Sequence, residues 1–74
     1  MIITLNCFAS LKPYTPDGGT LELAEGTTVE AVLTRLGIPQ EEIRLIFVNS
    51  VHVSPDTVLK DGDRLGIFPP VGGG

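Results

Sequence analysis

Thr27-Thr28-Val29-Glu30-Ala31-Val32-Leu33-Thr34-Arg35-Leu36-Gly37 is the stretch on which the fold turns. Val29, Val32, Leu33 and Leu36 recur at i, i+3, i+4 and i+7 and make one apolar stripe, with Glu30, Thr34 and Arg35 outside it. Thr27 followed three residues later by Glu30 matches a capping box, in which the hydroxyl takes an early amide and the carboxylate reaches back to the cap. Gly37 supplies a left-handed C-cap before Pro39. A helix begins near Thr28 and needs a sheet to cover.

On its N-terminal side, Met1 to Phe8 alternates Ile3, Leu5 and Cys7 with Thr4 and Asn6, the two-residue period of a half-buried strand. Ser10 to Gly19 holds Pro13, Pro16, Asp17, Gly18 and Gly19 and reads as a loop ending in a turn. Thr20 to Ala24 follows as a strand with Leu21 and Leu23 inward, so the first two strands form a hairpin with an open connection. Beyond the helix, Gln40 to Ile43 predicts a single turn, and Leu45-Ile46-Phe47-Val48 a strand buried on both faces. Val51-His52-Val53 continues as a short strand after an Asn49-Ser50 turn, Val58-Leu59 packs, and Asp61-Gly62-Asp63 opens a last strand, Leu65 to Phe68. Pro69-Pro70 ends it, since neither residue donates to a ladder. The order is strand, strand, helix, strand, short strand, strand. It predicts an α+β, β-grasp domain over residues 1–70, with a mixed sheet of four to five strands and one main helix on one face, followed by a flexible glycine tail at 71–74. The predicted core is Ile3, Leu5, Leu21, Val29, Val32, Leu33, Leu36, Ile46 and Val48.

Composition narrows the function. Seventy-four residues make one small domain, poorly suited to a catalytic pocket of its own. Five Lys+Arg against nine Asp+Glu leave a net charge of -4, and the basic residues are scattered, which argues against nucleic acid as a partner. No apolar run approaches the ~20 residues of a bilayer span, so the expectation is a cytoplasmic protein with no membrane partner. The single cysteine, Cys7, and single histidine, His52, offer neither a disulfide nor a metal set, and no Gly-rich loop precedes the helix to cradle phosphate. Cys7 reads as a buried small hydrophobe, and His52 as a solvent-facing or packed side chain between valines. No catalytic residue, no metal and no cofactor is expected.

The unusual feature is the end, Phe68-Pro69-Pro70-Val71-Gly72-Gly73-Gly74. Two prolines stiffen the exit from the last strand, and glycines without Cβ atoms suit a narrow channel in another protein. Val71 to Gly74, fully extended, reaches roughly 13 Å at ~3.3 Å per residue. Asp61-Gly62-Asp63-Arg64-Leu65-Gly66-Ile67-Phe68-Pro69-Pro70-Val71-Gly72-Gly73-Gly74 resembles the C-terminal signature of the MoaD/ThiS family of sulfur carriers. The resemblance extends upstream to Cys7-Phe8-Ala9-Ser10-Leu11-Lys12, Gly26-Thr27-Thr28-Val29 and Val48-Asn49. It implies a carrier, not an enzyme, whose terminal Gly74 carboxylate is adenylated by an ATP-dependent, ubiquitin-activating-type enzyme and converted to a thiocarboxylate. Gly73 is then its required neighbour, Gly72 part of the tail, and Phe68, Pro69, Pro70 and Val71 dock the tail's base on partners. The implied sulfur acceptor is a molybdopterin synthase large subunit or a thiazole synthase. Pro69-Pro70 leans toward the pterin pathway, molybdopterin or tungstopterin, and the compact length toward thiamine. A ubiquitin-like modifier conjugated through its C-terminal glycine, or a passive interaction domain, shares the same fold.

Overall fold

The computed structural model describes residues 1–70, and the expectations for Val71, Gly72, Gly73 and Gly74 lie outside the described residues. Five strands, β1 (Ile2–Cys7), β2 (Thr20–Glu22), β3 (Leu45–Val48), β4 (Val51–His52) and β5 (Arg64–Phe68), form one sheet in the order β2-β1-β5-β3-β4. β1 and β5 run parallel, with Leu5 opposite Leu65 and Cys7 opposite Ile67; the other pairs are antiparallel. The single main helix, α1 (Val29–Leu36), carries the chain from β2 across to the far half of the sheet. This is the mixed, one-helix β-grasp that the hydrophobic periods predict.

The core lies between α1 and one sheet face. Ile3, Leu5 and Cys7 from β1, Ile46 and Val48 from β3, and Leu65 and Ile67 from β5 are buried against Val29, Val32 and Leu33 of the helix. Leu11, Leu23, Ile38 and Leu59 complete it from the connections, whereas Leu21 and Leu36 are only half-buried at its rim. Arg35 ties the exposed side of the helix to β2 through an Nη1 hydrogen bond to the Glu22 carbonyl, 3.0 Å.

The helix starts one residue later than a Thr27–Glu30 box would place it. Thr28 is the N-cap, its Oγ1 accepting from the Ala31 amide at 3.2 Å. The amides of Val29 and Glu30 instead donate to the Thr57 and Pro55 carbonyls, at 2.9 and 2.8 Å. Segment 55–59 thus satisfies donors that a capping box would otherwise meet locally, and Leu59 N donates back to Thr27 O at 2.9 Å. Thr27 turns away, its hydroxyl donating to the Ala24 carbonyl at 2.6 Å. At the other end Gly37 adopts φ 75°, the left-handed cap read from the sequence.

Two further expectations change. The connection after β1 is not an open loop: Ala9–Tyr14 and Asp17–Gly19 are 3-10 turns, the first of which buries Leu11 completely beneath β1. β3 is not buried on both faces. Ile46 and Val48 face the helix, while Leu45 is 37 % exposed and Phe47 only half-buried, because one helix covers one face and nothing among the described residues covers the other.

Candidate functional site

The uncovered face follows from strand parity. Arg64, Gly66 and Phe68 alternate with the buried Leu65 and Ile67 along β5, so they stand on the opposite side of the sheet. Register places Gly66 between Asn6 on β1 and Phe47 on β3, and Phe68 beside Leu45. Phe8, the residue after β1, stacks on Phe68 with ring centroids 4.3 Å apart and planes at 6°. Phe47 meets the same ring edge-on at 5.5 Å and 82°, and His52 tilts against Phe47 from the neighbouring strand at 5.5 Å. All three phenylalanines of the chain therefore gather on the exposed face, around the end of β5.

They enclose a shallow hollow of about 380 Å³, lined by Asn6, Phe8, Phe47, Ser50, Arg64, Leu65, Gly66 and Phe68. Gly66 is its floor. A Cβ there would meet a Phe8 ring carbon at 3.5 Å and a Phe68 ring carbon at 3.7 Å, ordinary contact distances, so even one methyl group would occupy space between the rings. Exposed aromatic surface of this kind marks interaction sites more often than it marks bare surface.

The exit of β5 is anchored on both sides. Phe8 N donates to the Ile67 carbonyl at 3.0 Å, and Arg44 N to the Phe68 carbonyl at 2.8 Å. Pro69 then ends the ladder for lack of an amide hydrogen. The three expected docking residues in the described region have different environments: Phe68 is half-buried in the aromatic cluster, Pro70 is exposed, and Pro69 is buried in its own domain. Pro69 therefore stiffens the exit from within. At the other end of the strand, Asn49 fixes where β5 begins: its Oδ1 accepts from Arg64 N at 3.0 Å, its amide donates to the Arg64 carbonyl at 2.8 Å, and its Nδ2 donates to Asp63 Oδ1 at 2.9 Å. Asn49 and Ser50 both take positive φ, 52° and 70°, the turn geometry that matches the twist of a tight hairpin.

The other chemistry-bearing side chains stay apart from this face. Cys7 is buried, and burial pushes its thiol above the ordinary range, with a smaller opposing effect from Thr15, which makes it inert rather than nucleophilic. Among the described residues no group of three His, Cys, Asp or Glu side chains is placed to hold a metal ion, and no helix is long and apolar enough to cross a membrane. A second cleft of about 350 Å³ opens on the helix side between α1 and β4, with Leu33, Ile38, Ile43 and Ile46 as its apolar wall. Phe8, Phe47, Gly66 and Arg64 were not singled out as site residues from the sequence; Phe47 carried the signal, as the middle member of an apolar run whose neighbours both point inward.

Comparison with known proteins places this architecture. The profile described as the ThiS family matches residues 5–74. No curated protein matches the chain. A Pyrococcus furiosus protein assigned as molybdopterin converting factor, subunit 1, shares 29% identity and superposes with a TM-score of 0.76 over 96% of this chain and 99% of its own. SAMP1 of Haloferax volcanii, a small archaeal modifier protein, superposes at 0.75 with 20% identity, covering 100% of both chains. Subunit 1 in the complex of subunits 1 and 2 of molybdopterin-converting factor from Helicobacter pylori 26695 aligns at 0.62 with 20% identity, again over 100% of both.

Proposed function

Because the chain belongs to the ThiS family, we propose that it is a sulfur carrier, a protein co-substrate whose Gly74 carboxylate is activated by ATP and loaded with sulfur for cofactor biosynthesis. The observation that carries this reading is the family match through residue 74, which includes the Pro69-Pro70-Val71-Gly72-Gly73-Gly74 segment that the chemistry needs. The folded domain supplies a central strand held by hydrogen bonds to its last residue and an aromatic face beside the point where the tail departs. Such a body grips a partner while the tail reaches into that partner's active site. With about 3.3 Å per extended residue, Val71 to Gly74 spans roughly 13 Å.

A carboxylate is a poor electrophile at neutral pH because its leaving group would be oxide. Adenylation removes that obstacle. A Gly74 carboxylate oxygen attacks the α-phosphorus of ATP, pyrophosphate departs, and the resulting acyl-adenylate has a stabilised leaving group. Hydrosulfide, or an equivalent sulfide-level donor, then attacks the Gly74 carbonyl carbon; AMP leaves with the C–O bond's electron pair, the S–H proton passes to solvent, and a thiocarboxylate remains. No electron changes hands, so no oxidant is needed. The product stays ionised near neutral pH and its polarizable sulfur is the better nucleophile toward an acceptor. These steps use no side chain of this domain as acid, base or nucleophile.

Phe68, Phe8 and Phe47, with Pro70 and Val71 at the tail's base, form the docking surface for two partners in turn: the adenylating enzyme and the sulfur-accepting synthase. The synthase we favour is the molybdopterin type, in line with the likeness to subunit 1 of molybdopterin converting factor at 29% identity; a thiazole synthase is the alternative acceptor. Carrier-dependent ATP–pyrophosphate exchange with the adenylating enzyme tests the first step. We expect exchange with the full chain and none after removal of residues 72–74. Exchange that persists without these residues would refute activation at the glycine end. Appearance of the chain in an isopeptide bond to lysine, in place of a thiocarboxylate, would favour a protein modifier.

A further inference from the structure

The hollow on the open face carries one charge, and its sign is opposite to that of the chain. Arg64 is the sole ionic side chain among the eight residues that line it, in a protein with nine acidic residues, five basic residues and a net charge of -4. The acid nearest in sequence is already engaged: Asp63 accepts from Asn49 Nδ2 through Oδ1 at 2.9 Å and from the Lys60 amide through Oδ2 at 2.8 Å. Arg64 itself is fixed through its main chain by Asn49 on both the amide and carbonyl sides, at 3.0 and 2.8 Å, and among the described residues its exposed guanidinium donates no hydrogen bond. Beside it the Phe8–Phe68 stack and the perpendicular Phe47 ring hold an apolar depression open over Gly66.

We propose that this hollow reads charge on the docking partner: it accepts a protein surface that presents a carboxylate to Arg64 beside an apolar side chain seated over Gly66 between the three rings. The inference rests on the carrier reading above and adds the partner's chemistry to it. A guanidinium matches a carboxylate with two parallel hydrogen bonds, a geometry the point charge of lysine lacks. The adjacent rings exclude water from the pair, and their mutual packing orders the depression before the partner arrives, which lowers the entropic cost of binding. A polyanion is a poor occupant, since one arginine amid an acidic chain is not the basic stripe that phosphate backbones require. Charge complementarity at such a rim governs which partner docks and how fast, more than the total affinity.

The test is the KM for the carrier in ATP–pyrophosphate exchange with the adenylating enzyme, measured for Arg64→Lys, Arg64→Gln and Arg64→Glu. Gln and Glu have nearly the same shape, so any difference between them is charge. A carboxylate on the partner predicts KM raised less than about threefold by Lys, more by Gln, and about tenfold or more by Glu, while kcat holds. Thermal unfolding of each variant within a few degrees of the parent shows that the fold is intact, as expected for an exposed side chain. Equal KM values for Gln and Glu, or a lower KM for Glu than for the parent, overturn the inference while leaving the carrier reading in place. Absence of exchange with the unaltered protein removes the carrier reading, and the inference with it.

Discussion

Replacing Phe68 with Ala separates a structural from a docking role for the aromatic face, and the expected loss can be worked from the geometry. Complete burial makes a Phe→Ala change cost about 3–5 kcal/mol. Phe68 is half-buried, which scales that to roughly 1.5–2.5 kcal/mol including its two ring contacts, the stack on Phe8 at 4.3 Å and the edge contact with Phe47 at 5.5 Å. For a domain of this size about 2 kcal/mol corresponds to a fall in Tm of roughly 8–16 °C. A double-mutant cycle isolates the stack: urea denaturation of Phe8→Ala, Phe68→Ala and the pair should give a coupling energy of about 0.5–1.5 kcal/mol. Phe8→Ala alone should cost less, because Phe8 is 40 % exposed. Coupling below about 0.3 kcal/mol, the level at which independent sites add, would refute the stacked geometry in solution. A Phe68→Ala protein that fails to fold would refute the assignment of this ring to the open face.

The core and the cap make further predictions. Leu33→Ala should cost about 2–5 kcal/mol in denaturant unfolding, since Leu33 is buried between α1 and the sheet; a change under half that range's lower bound would displace the helix. Thr28→Ala should cost about 1 kcal/mol through loss of the N-cap bond to Ala31, and Thr27→Ala less, because Thr27 caps nothing; the reverse order would restore the capping box. Cys7 should resist a thiol reagent in the folded protein and react on unfolding. Burial holds its folded pKa above the ordinary 9.0, so the folded state keeps the proton longer than the unfolded chain does. Its contribution is complete below the unfolded pKa and is lost as pH rises through the folded one, so the urea midpoint should decline above about pH 9 less steeply in Cys7→Ala than in the parent.

Side-chain periodicity made β1, α1 and the Gly37 cap legible from sequence, because each records its own burial locally: Ile3, Leu5 and Cys7 share one strand face, and Val29, Val32 and Leu33 one helix stripe. The remaining features depend on distant partners. Thr27 and Thr28 are both competent caps, and the choice between them is made by segment 55–59, whose Pro55 and Thr57 carbonyls take the Glu30 and Val29 amides. Leu11 is a lone apolar residue in a polar, proline-bearing stretch, and only the sheet above it explains its complete burial. The run Leu45-Ile46-Phe47-Val48 is apolar throughout, so its two faces look alike until the sheet shows that α1 covers one of them. The same ambiguity hid the aromatic face: Phe8, Phe47 and Phe68 are separated by 39 and 21 positions along the chain and are brought together by the parallel pairing of β1 with β5 and the antiparallel pairing of β5 with β3. The glycine end lies outside the described residues, and the chemistry proposed for it is read from the sequence and the family match alone.

The central claim is tested most directly by intact-mass and fragmentation analysis of the protein after incubation with the adenylating enzyme, ATP and a sulfide source. The account predicts one sulfur in place of one oxygen, located on Gly74 and dependent on ATP; sulfur found on Cys7 instead, or loading that proceeds without ATP, would contradict it.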